Sequence, residues 1–458
     1  MSYNQIVRLV VFTIFCSVFS FVSFTQIRPV KNPSVILFKN IKPYSFEVHY
    51  DKVKDAENYL VLISEKGIPL TNPIDNISYL KGDGLYDSKV AYVGKDTFFI
   101  PKGIRANHSY NYVVFAFNGK PGAEKYQIQN PPYDVIKTKG LNIGHYYEEI
   151  IATAPNFTSQ LYDLISKHTV IPYYNYKTTL IEDVELIDTT KGMRYVECVY
   201  TGDKKLFSGP FDWTQQGYSR EHTFPHSWMP TYPANNPEKP EYSDFHNLYP
   251  TNLDKANSIR SNYPFGEING KIHYEYKDGK LGEMDGVLVY EPSNKQKGNV
   301  ARAIFYMLTA YNSIDVNWAL PSKQNENLLK KWHYQDLPDD YEITRQEYIF
   351  DKQGNRNPFI DSIDFVCKID FYTMMKSKKC LLDIEQINSN ELFTVLQDVE
   401  KNNFVVQSNE SLEIEILSMN GSLIQRIPIN QNIPFFDNGI YFLKVSYKNQ
   451  SFIRKIVF

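Results

Sequence analysis

Cysteine is scarce in this chain, which excludes the class of small domains stabilised by several disulfide bonds. Only four cysteines occur among 458 residues, and Cys16 falls inside an N-terminal apolar run. The other three, Cys198, Cys367 and Cys380, are odd in number and widely spaced, so they form neither a disulfide scaffold nor a four-thiolate zinc site. An exported protein allows one bridge, such as Cys367–Cys380, and the sequence leaves the pairing open.

A surplus of charge of either sign is also missing. The 49 basic and 52 acidic side chains give a formal net charge of −3. No global field therefore draws in a polyanion, and binding of nucleic acid must depend on local geometry or on a metal ion. The hydrophobic content of 42% and charged content of 22% are those of globular protein, and the length predicts several domains.

A hydrophobic run occurs at the N-terminus, and it is short for a membrane span. Residues 1–25 carry one basic side chain, Arg8, before an apolar run that ends near Phe24, and small residues lie just before Gln26. This order predicts a secretory signal peptide. The alternative is an N-terminal membrane anchor, which the short run disfavours. We therefore expect a mature protein without a stable membrane span, secreted or displayed on the cell surface.

The pattern of strands and helices predicts three regions. Residues 30–138 are short β-branched and aromatic runs, with Tyr110, Tyr112 and Val114 on one face of the last long run. They predict a small β-sandwich that loosely resembles a fibronectin type III domain. Residues 141–382 have helical periodicity on both sides of a loop-rich, aromatic stretch, which predicts one α+β domain.

The helices of the second region are marked by three segments. "NVARAIFYMLTAY" places Val300, Ile304, Met307 and Tyr311 on one apolar face, and "NENLLKKWH" and "DDYEITRQEYIF" supply further helices. Residues 390–458 return to alternating strands, with a two-residue hairpin turn predicted at 420–421.

The loop-rich stretch contains the residues that suit phosphodiester cleavage. Such a site must neutralise phosphate charge and deprotonate water, which a divalent metal and a histidine can do. Glu221 and His222 stand in "SREHTFPHSW", and Asn257 and Arg260 follow in "DKANSIRS". A carboxylate and an amide oxygen are ligands that Mg²⁺ accepts. Neighbours on a regular strand face opposite ways, so Glu221 and His222 can share a site only at a strand end.

Several alternatives stay open at this level. Asn252 is a weaker candidate than Asn257 for the amide ligand, and Arg220 and Arg260 are both candidates to hold a phosphate oxygen. His226 and His246 are expected to be scaffold histidines, with Asp244 as a brace. A zinc site shared by two histidines of "HTFPH" is disfavoured, because Pro225 interrupts the helix that their spacing needs.

Four ordered motifs resemble the bacterial endonuclease I family, whose sites are of the ββα-metal type. They are "SREHTFPHSW", "DFHNLYPTNLDKANSIRSNYPFGE", "GNVARAIFYMLTAY" and "QGNRNPFID", and they extend over residues 140–380. The resemblance implies that Glu221 and Asn257 bind Mg²⁺, for which Ca²⁺ or Mn²⁺ can substitute, and that His222 is the general base. Arg260 is the accompanying catalytic candidate. The motif "NPFIDSIDF" departs from the family, in which a histidine and a proline commonly follow the Asp; that position is expected to be structural.

The C-terminal region resembles the sorting domain recognised by the type IX secretion system. "LSMNGSLIQRIPI", "NGIYFLKV" and the terminal "RKIVF" carry this likeness. The expected architecture is therefore multidomain: an α+β nuclease domain of the ββα-metal type, flanked by an N-terminal β-sandwich and a C-terminal β-sandwich sorting domain. The resemblance implies that the type IX secretion machinery is a partner.

The combined expectation is a secreted, Mg²⁺-dependent and largely non-specific endonuclease acting on DNA and RNA. Two alternatives belong to other classes: a surface-binding protein with an inactive nuclease domain, and a metal phosphodiesterase that acts on a substrate other than nucleic acid. The preference between DNA and RNA, the ligand of the N-terminal domain and the oligomeric state are not determined by the sequence.

Overall fold

Strands form both ends of the described chain and helices form its middle. The computed structural model describes residues 27–69, 71–233, 239–377, 393–398, 403–408, 410–418, 422–434, 440–447 and 450–457. The expected signal peptide, Cys380 and the expected hairpin turn at 420–421 lie outside these residues.

The N-terminal region is a pair of facing sheets. Its strands are β1 (Ile36–Lys39), β2 (Glu47–Tyr50), β3 (Asn58–Ser64), β4 (Gly84–Leu85), β5 (Ser88–Gly94), β6 (Phe98–Phe99), β7 (Ser109–Asn118), β8 (Lys125–Tyr126) and β9 (Tyr133–Lys137). One sheet has the order β1-β2-β6, and the other has the order β4-β5-β3-β7-β8 with β9 paired to β7. Tyr110, Tyr112 and Val114 share one buried cluster, as predicted, whereas Val113 and Phe115 fill a second cluster on the opposite face of β7.

The middle region surrounds one long buried helix. Its helices are α1 (Phe157–Ile165), α2 (Trp213–Gln216), α3 (Pro240–Ser243), α4 (Ser258–Arg260), α5 (Lys297–Tyr311), α6 (Glu326–Gln335), α7 (Asp340–Gln353) and α8 (Pro358–Asp361). Its strands are β10 (Ile187–Asp188), β11 (Arg194–Glu197), β12 (Lys204–Phe207), β13 (Tyr218–His222), β14 (Leu248–Asn252), β15 (Ile272–Tyr276), β16 (Gly279–Met284), β17 (Val287–Glu291), β18 (Ile369–Asp370) and β19 (Met375–Lys376). The 3₁₀ turns are Tyr173–Tyr176, Thr190–Gly192, His226–Trp228, Asn294–Gln296 and Ile363–Lys368, and the π-helical turns are Lys177–Glu185 and Leu253–Asn257.

The predicted helices are confirmed, but α5 is buried more widely than its apolar face predicts. Every residue from Gly298 to Ala310 is buried, including Arg302 on the polar side of the helix. The Arg302 guanidinium donates to Glu342 of α7 at 2.8 Å from Nε. A buried cation is tolerated where a carboxylate pairs with it, so this ion pair lets α5 lie inside the core.

The C-terminal region is a second pair of sheets. Its strands are β20 (Thr394–Asp398), β21 (Asn403–Gln407), β22 (Glu413–Leu417), β23 (Leu423–Ile427), β24 (Ile433–Pro434), β25 (Ile440–Tyr447) and β26 (Gln450–Val457). The sheets have the orders β20-β21-β24 and β23-β22-β25-β26. The antiparallel pairing of β22 with β23 confirms the predicted hairpin. Within the described residues, no helix is long and apolar enough to cross a membrane.

Both end regions contact the middle region. On α7, the Thr344 hydroxyl accepts from the Ala106 amide at 2.9 Å, and Asp340 lies 2.8 Å from the His108 ring. On the C-terminal side, Phe442 belongs to a small apolar cluster with Ile363. Cys198 is a buried free thiol and Cys367 is disulfide-bonded, while the bridge partner considered from the sequence lies outside the described residues.

Candidate active site

The candidate site is built on two antiparallel strands and the turn that follows them. β13 pairs with β14 so that His222 lies opposite Leu248. The Asn252 side chain then caps the next turn by accepting from the Lys255 amide at 3.0 Å. The π-helical turn ends at Asn257, whose amide reaches Glu221 of the first strand, and it runs directly into α4. Two strands and a short helix therefore supply the surface on which the predicted residues meet.

Glu221 is the buried centre of this surface. Its side chain is 7% exposed, and its Oε1 accepts from the Tyr200 hydroxyl at 3.3 Å and from Arg260 Nη1 at 3.2 Å. The Asn257 amide donates to Oε2. Burial raises the pKa of the Glu221 carboxyl, even though Arg260 and the hydrogen bonds act to lower it. The protein therefore does not fully compensate this carboxylate, which suits a position that receives a cation.

The donor atoms around Glu221 fit a hard divalent ion. Carboxylate and amide oxygens are the ligands of Mg²⁺, and rotation of the Asn257 amide by half a turn exchanges its nitrogen for its oxygen. The described residues contain no group of three or more His, Cys, Asp or Glu side chains arranged to hold a metal. The protein's share would thus be the carboxylate and the amide, with water supplying the other ligands, as Mg²⁺ commonly retains.

His222 ends β13 and lines the cavity over Glu221. Its Nε2 lies 2.7 Å from the Tyr242 carbonyl oxygen. A carbonyl can only accept, so Nε2 carries the proton and Nδ1 of the neutral ring keeps its lone pair. The ring lies nearly parallel to that of Tyr173, with centroids 5.5 Å apart. Burial lowers the pKa of His222 to about 4.

Arg260 is held in the interior. Its side chain is 0% exposed, and Nη2 donates to the Thr223 carbonyl at 3.0 Å while Nη1 reaches Glu221. The guanidinium also lies 4.4 Å from the centroid of the Phe265 ring. These contacts place Arg260 on the carboxylate of Glu221, in a position to fix that side chain.

The weaker candidate Asn252 is occupied elsewhere. Its amide donates to Asp203 at 3.4 Å, and its oxygen caps the turn before α4. The structure thus brings Asn257, and not Asn252, to Glu221.

An open cavity of about 330 Å³ lies over these groups. It is lined by Arg220, Glu221, His222, His226, Asn257 and Arg260, among others. His226, expected to be scaffold, is therefore part of the cavity wall, with its ring 6.3 Å from that of His222. Two histidines are too few for a zinc site, and the described residues add no group of three or more His, Cys, Asp or Glu side chains arranged to hold a metal.

The other two residues expected to be structural, His246 and Asp244, are buried and hydrogen-bonded to neighbouring segments. His246 is buried, with Nε2 3.4 Å from the Asn355 carbonyl, and its amide donates to Asp244 at 2.9 Å. Sequence reasoning missed Tyr200, which contacts Glu221 from 21 positions upstream, and the Tyr242 carbonyl that orients His222. No motif marks either one, because a tyrosine hydroxyl and a backbone oxygen leave no spacing pattern.

Comparison with known proteins identifies two regions. The Endonuclease I family model matches residues 153–364, and the model of the secretion system C-terminal sorting domain matches residues 400–458. The chain is similar to the extracellular ribonuclease of Bacillus subtilis (strain 168), at 31% identity over 241 residues that cover 49% of this chain and 77% of that protein. It is similar to the extracellular ribonuclease of Bacillus amyloliquefaciens at 30% identity, also over 77% of that protein and 49% of this chain.

Two further comparisons are shorter or weaker. A periplasmic deoxyribonuclease of Aeromonas hydrophila is 33% identical over 118 residues, which cover 26% of this chain and 47% of that protein. Among solved structures, the FN5 domain of Drosophila Lar aligns at 17% identity with a TM-score of 0.16, covering 24% of this chain and 96% of that one. A TM-score this low supports no argument about the fold.

Proposed function

Because this chain belongs to the Endonuclease I family, we propose that it is an exported, metal-dependent endonuclease that hydrolyses the phosphodiester bonds of DNA and RNA. The observation that carries the proposal is the meeting of Glu221, His222, Asn257 and Arg260 around one open cavity. The relatives are named as ribonucleases and deoxyribonucleases, so both polymers are proposed as substrates.

His222 is the proposed general base. Its Nε2–H donates to the Tyr242 carbonyl, so Nδ1 is the ring atom whose lone pair can accept a proton from water. The stacked Tyr173 ring and the backbone hydrogen bond hold the imidazole in one orientation. This is the arrangement that general-base catalysis needs, since the ring need not reorganise before the proton moves.

Glu221 and Asn257 are the proposed ligands of Mg²⁺. When bound, a divalent ion of this kind neutralises phosphate charge and stabilises the departing oxygen. Arg260 Nη1 and the Tyr200 hydroxyl fix Oε1 of the carboxylate, so Glu221 presents a defined edge to the cavity. In this proposal Arg260 acts by positioning Glu221, and not as the group that holds a phosphate oxygen.

The proposed route out of the cell uses both ends of the chain. The match to a C-terminal sorting domain and the extracellular or periplasmic relatives support secretion or surface display. We include in the proposal a signal peptide at 1–25, a β-sandwich at 30–138, a nuclease domain at 141–382 and a sorting domain at 390–458 that engages the type IX secretion machinery.

The test is degradation of plasmid DNA and of RNA by the mature protein, with Mg²⁺ or with a chelator. We expect degradation with Mg²⁺, its loss in chelator, and its loss in His222→Ala. A matched control is His273→Ala, since His273 is partly exposed and pairs with Glu283 at 2.7 Å, away from the cavity. Activity that survives in chelator or in folded His222→Ala would contradict the mechanism.

The ligand assignment has its own comparison. Asn257→Ala should raise the Mg²⁺ concentration needed for half-maximal activity while leaving the fold intact, whereas Asn252→Ala should affect stability through the lost cap. If Asn257→Ala binds and uses Mg²⁺ like the parent protein, the ligand assignment is wrong. If the parent protein degrades neither polymer, a binding protein or a phosphodiesterase for other substrates takes its place, and small phosphodiesters distinguish the two.

A further inference from the structure

A continuous row of aromatic rings borders the cavity. The rings, in spatial order, are those of Tyr174, Tyr173, Tyr242, His226 and Tyr232, and we call them the aromatic row. The centroids of successive rings are 5.7, 4.9, 4.9 and 5.2 Å apart. Separations of about 4.5–7 Å are those of aromatic side chains in contact. The five rings therefore form one unbroken surface, although they come from three separate segments of the chain.

The aromatic row passes directly beside the proposed general base. The Tyr173 and Tyr242 rings lie 5.5 and 4.7 Å from the ring of His222. His226 lines the cavity itself. The Tyr174 ring lies 5.4 Å from the guanidinium of Arg220, which is another residue of the cavity wall. A ligand bound in the cavity would thus lie next to this surface.

The two ends of the aromatic row are open to solvent. The exposed fraction is 64% for Tyr174 and 55% for Tyr232, whereas the three inner rings are partly buried. A single exposed ring is ordinary on a protein surface, so exposure alone carries no argument. Two exposed rings on one surface that adjoins a cavity do carry one, because contiguous apolar surface of this kind is typical of binding sites.

The nucleobases are the flat, apolar groups of the proposed substrate. Every base has a π-face, so stacking on an aromatic side chain occurs in DNA and in RNA and does not depend on sequence. Within a duplex the bases are paired and stacked on one another, and only unpaired bases can be splayed onto protein rings. Surface of this type therefore suits a strand whose bases are unpaired.

We propose that Tyr174 and Tyr232 stack on unpaired bases that flank the phosphodiester bound in the cavity, so that the preferred substrates are single-stranded stretches of DNA and RNA. The inference rests on the proposed nuclease function and names the form of its substrate. In a competing interpretation, the aromatic row only packs the wall that orients His222. The two interpretations differ in whether removal of the exposed end rings weakens the binding of single strands.

The decisive measurement is binding without cleavage. Fluorescein-labelled single strands of DNA and RNA, and a duplex of the same length, are titrated with the mature protein in chelator and followed by anisotropy. Tyr174→Ala and Tyr232→Ala should each bind single strands roughly five- to a hundredfold more weakly, with little change for the duplex. Because tyrosine is uncharged, the slope of log affinity against log salt should stay that of the parent protein. Tyr174→Phe and Tyr232→Phe keep the ring and should keep the affinity.

The matched control is Tyr133→Ala. Tyr133 is 63% exposed, nearly the same as Tyr174, but it lies on β9 of the N-terminal region. It removes an equally exposed ring outside the aromatic row, so its affinity for single strands should equal that of the parent protein. Circular dichroism and the melting temperature show that each variant is folded, and Tyr174→Leu and Tyr232→Leu serve where an alanine variant does not fold.

A base can also be removed from the substrate. Strands with one abasic site at successive positions should bind the parent protein more weakly at particular positions, and Tyr174→Ala should be insensitive at one of them.

If the parent protein binds and cleaves nucleic acid while both alanine variants keep its affinity for single strands, the proposal is overturned and the nuclease function stands. An equal loss of affinity for single strands and for duplex also overturns it, because the rings then contact something other than unpaired bases. If the parent protein neither binds nor cleaves, the proposed function fails and this inference fails with it.

Discussion

Asp244 is the buried acceptor that ties the approach to β14 onto the central helix, and removing it gives the sharpest stability prediction. Its Oδ2 accepts from the Tyr306 hydroxyl at 2.6 Å and from the Tyr311 hydroxyl at 2.7 Å. Its Oδ1 accepts from the His246 amide at 2.9 Å and from Gln353 Nε2 at 3.1 Å. Asp244→Ala would therefore leave four donors around an empty space in the core.

The size of the effect follows from these contacts. A hydrogen bond to a charged group contributes about 1.5–3 kcal/mol, and an abandoned buried donor costs about 1–3 kcal/mol. Not every donor is abandoned; Gln353 Nε2, for example, also donates to Asn355 Oδ1 at 3.3 Å. We therefore expect Asp244→Ala to lower the free energy of unfolding by about 4 kcal/mol, within the range for breaking a buried charged network. Tyr306→Phe, which removes one hydrogen bond to this charged group, should lower it by about 2 kcal/mol.

Tryptophan fluorescence during urea unfolding is the suitable assay. All four tryptophans lie in the middle region: Trp213, Trp228, Trp318 and Trp332. The signal thus reports the unfolding of that region without a contribution from the two β-rich ends. The reasoning would be refuted if Asp244→Ala destabilised the region no more than Tyr306→Phe does.

Acid should reduce the difference in free energy of unfolding between Asp244→Ala and the parent protein. Burial raises the pKa of Asp244, but His168, His246 and the tyrosine hydroxyls outweigh it, and the net direction is downward. A carboxyl with a lowered folded pKa contributes its full stability above its unfolded pKa, about 4, and loses that contribution as the pH falls through the folded value. The gap in stability between the two proteins should accordingly be constant near neutral pH and shrink below about pH 4.

Three further predictions concern other parts of the chain. Hydrogen bonds to Asp340 and Glu65 raise the pKa of His108 to about 9, so its contribution to docking of the N-terminal region is complete below about pH 6.5 and is lost as the pH rises through 9. The protease sensitivity of that region should increase over this interval, and His108→Gln should remove the pH dependence. Burial raises the pKa of the Cys198 thiol, so Ellman's reagent should not label it until urea unfolds the chain. Arg356→Met leaves the buried carboxylate of Asp361, which Nε contacts at 2.7 Å, without this partner, and should lower the free energy of unfolding by about 3–5 kcal/mol in urea. Arg426→Met, which removes an exposed arginine from Glu415, should lower it by less than about 1 kcal/mol.

The proposed catalytic pair could be predicted from local sequence because its geometry is local. Glu221 and His222 are neighbours, and their sharing of one cavity requires a strand end, which the structure supplies by ending β13 at His222. Asn257 was predictable for a related reason: the polar segment after β14 forms a helical turn, and antiparallel pairing returns that turn to β13. Short-range pattern and one strand pairing are enough to assemble these three side chains.

The contacts that orient Glu221 and His222 come from distant parts of the chain, and no sequence pattern predicts them. Tyr200 reaches Glu221 from a loop, and the carbonyl that fixes the His222 tautomer belongs to Tyr242 on α3. The helix α5 was predicted from its apolar face, but its complete burial depends on an ion pair with Glu342 of α7. Each of these features depends on which elements pack together, and residue type and spacing do not encode that.

The charge balance of the whole chain is a poor guide to what its cavity can bind. The net charge of −3 gives no global attraction for nucleic acid, yet two of the residues that line the cavity with Glu221 are arginines. Arg220 and Arg260 line the cavity, and Lys323 lies next to it, 4.9 Å from the Trp228 ring. Burial and the charge of Arg260 both lower the pKa of Lys323, which shows that these cations share one neighbourhood. Positive charge concentrated at one open cavity attracts a phosphate locally, so the proposed binding of nucleic acid does not require a protein that is basic overall.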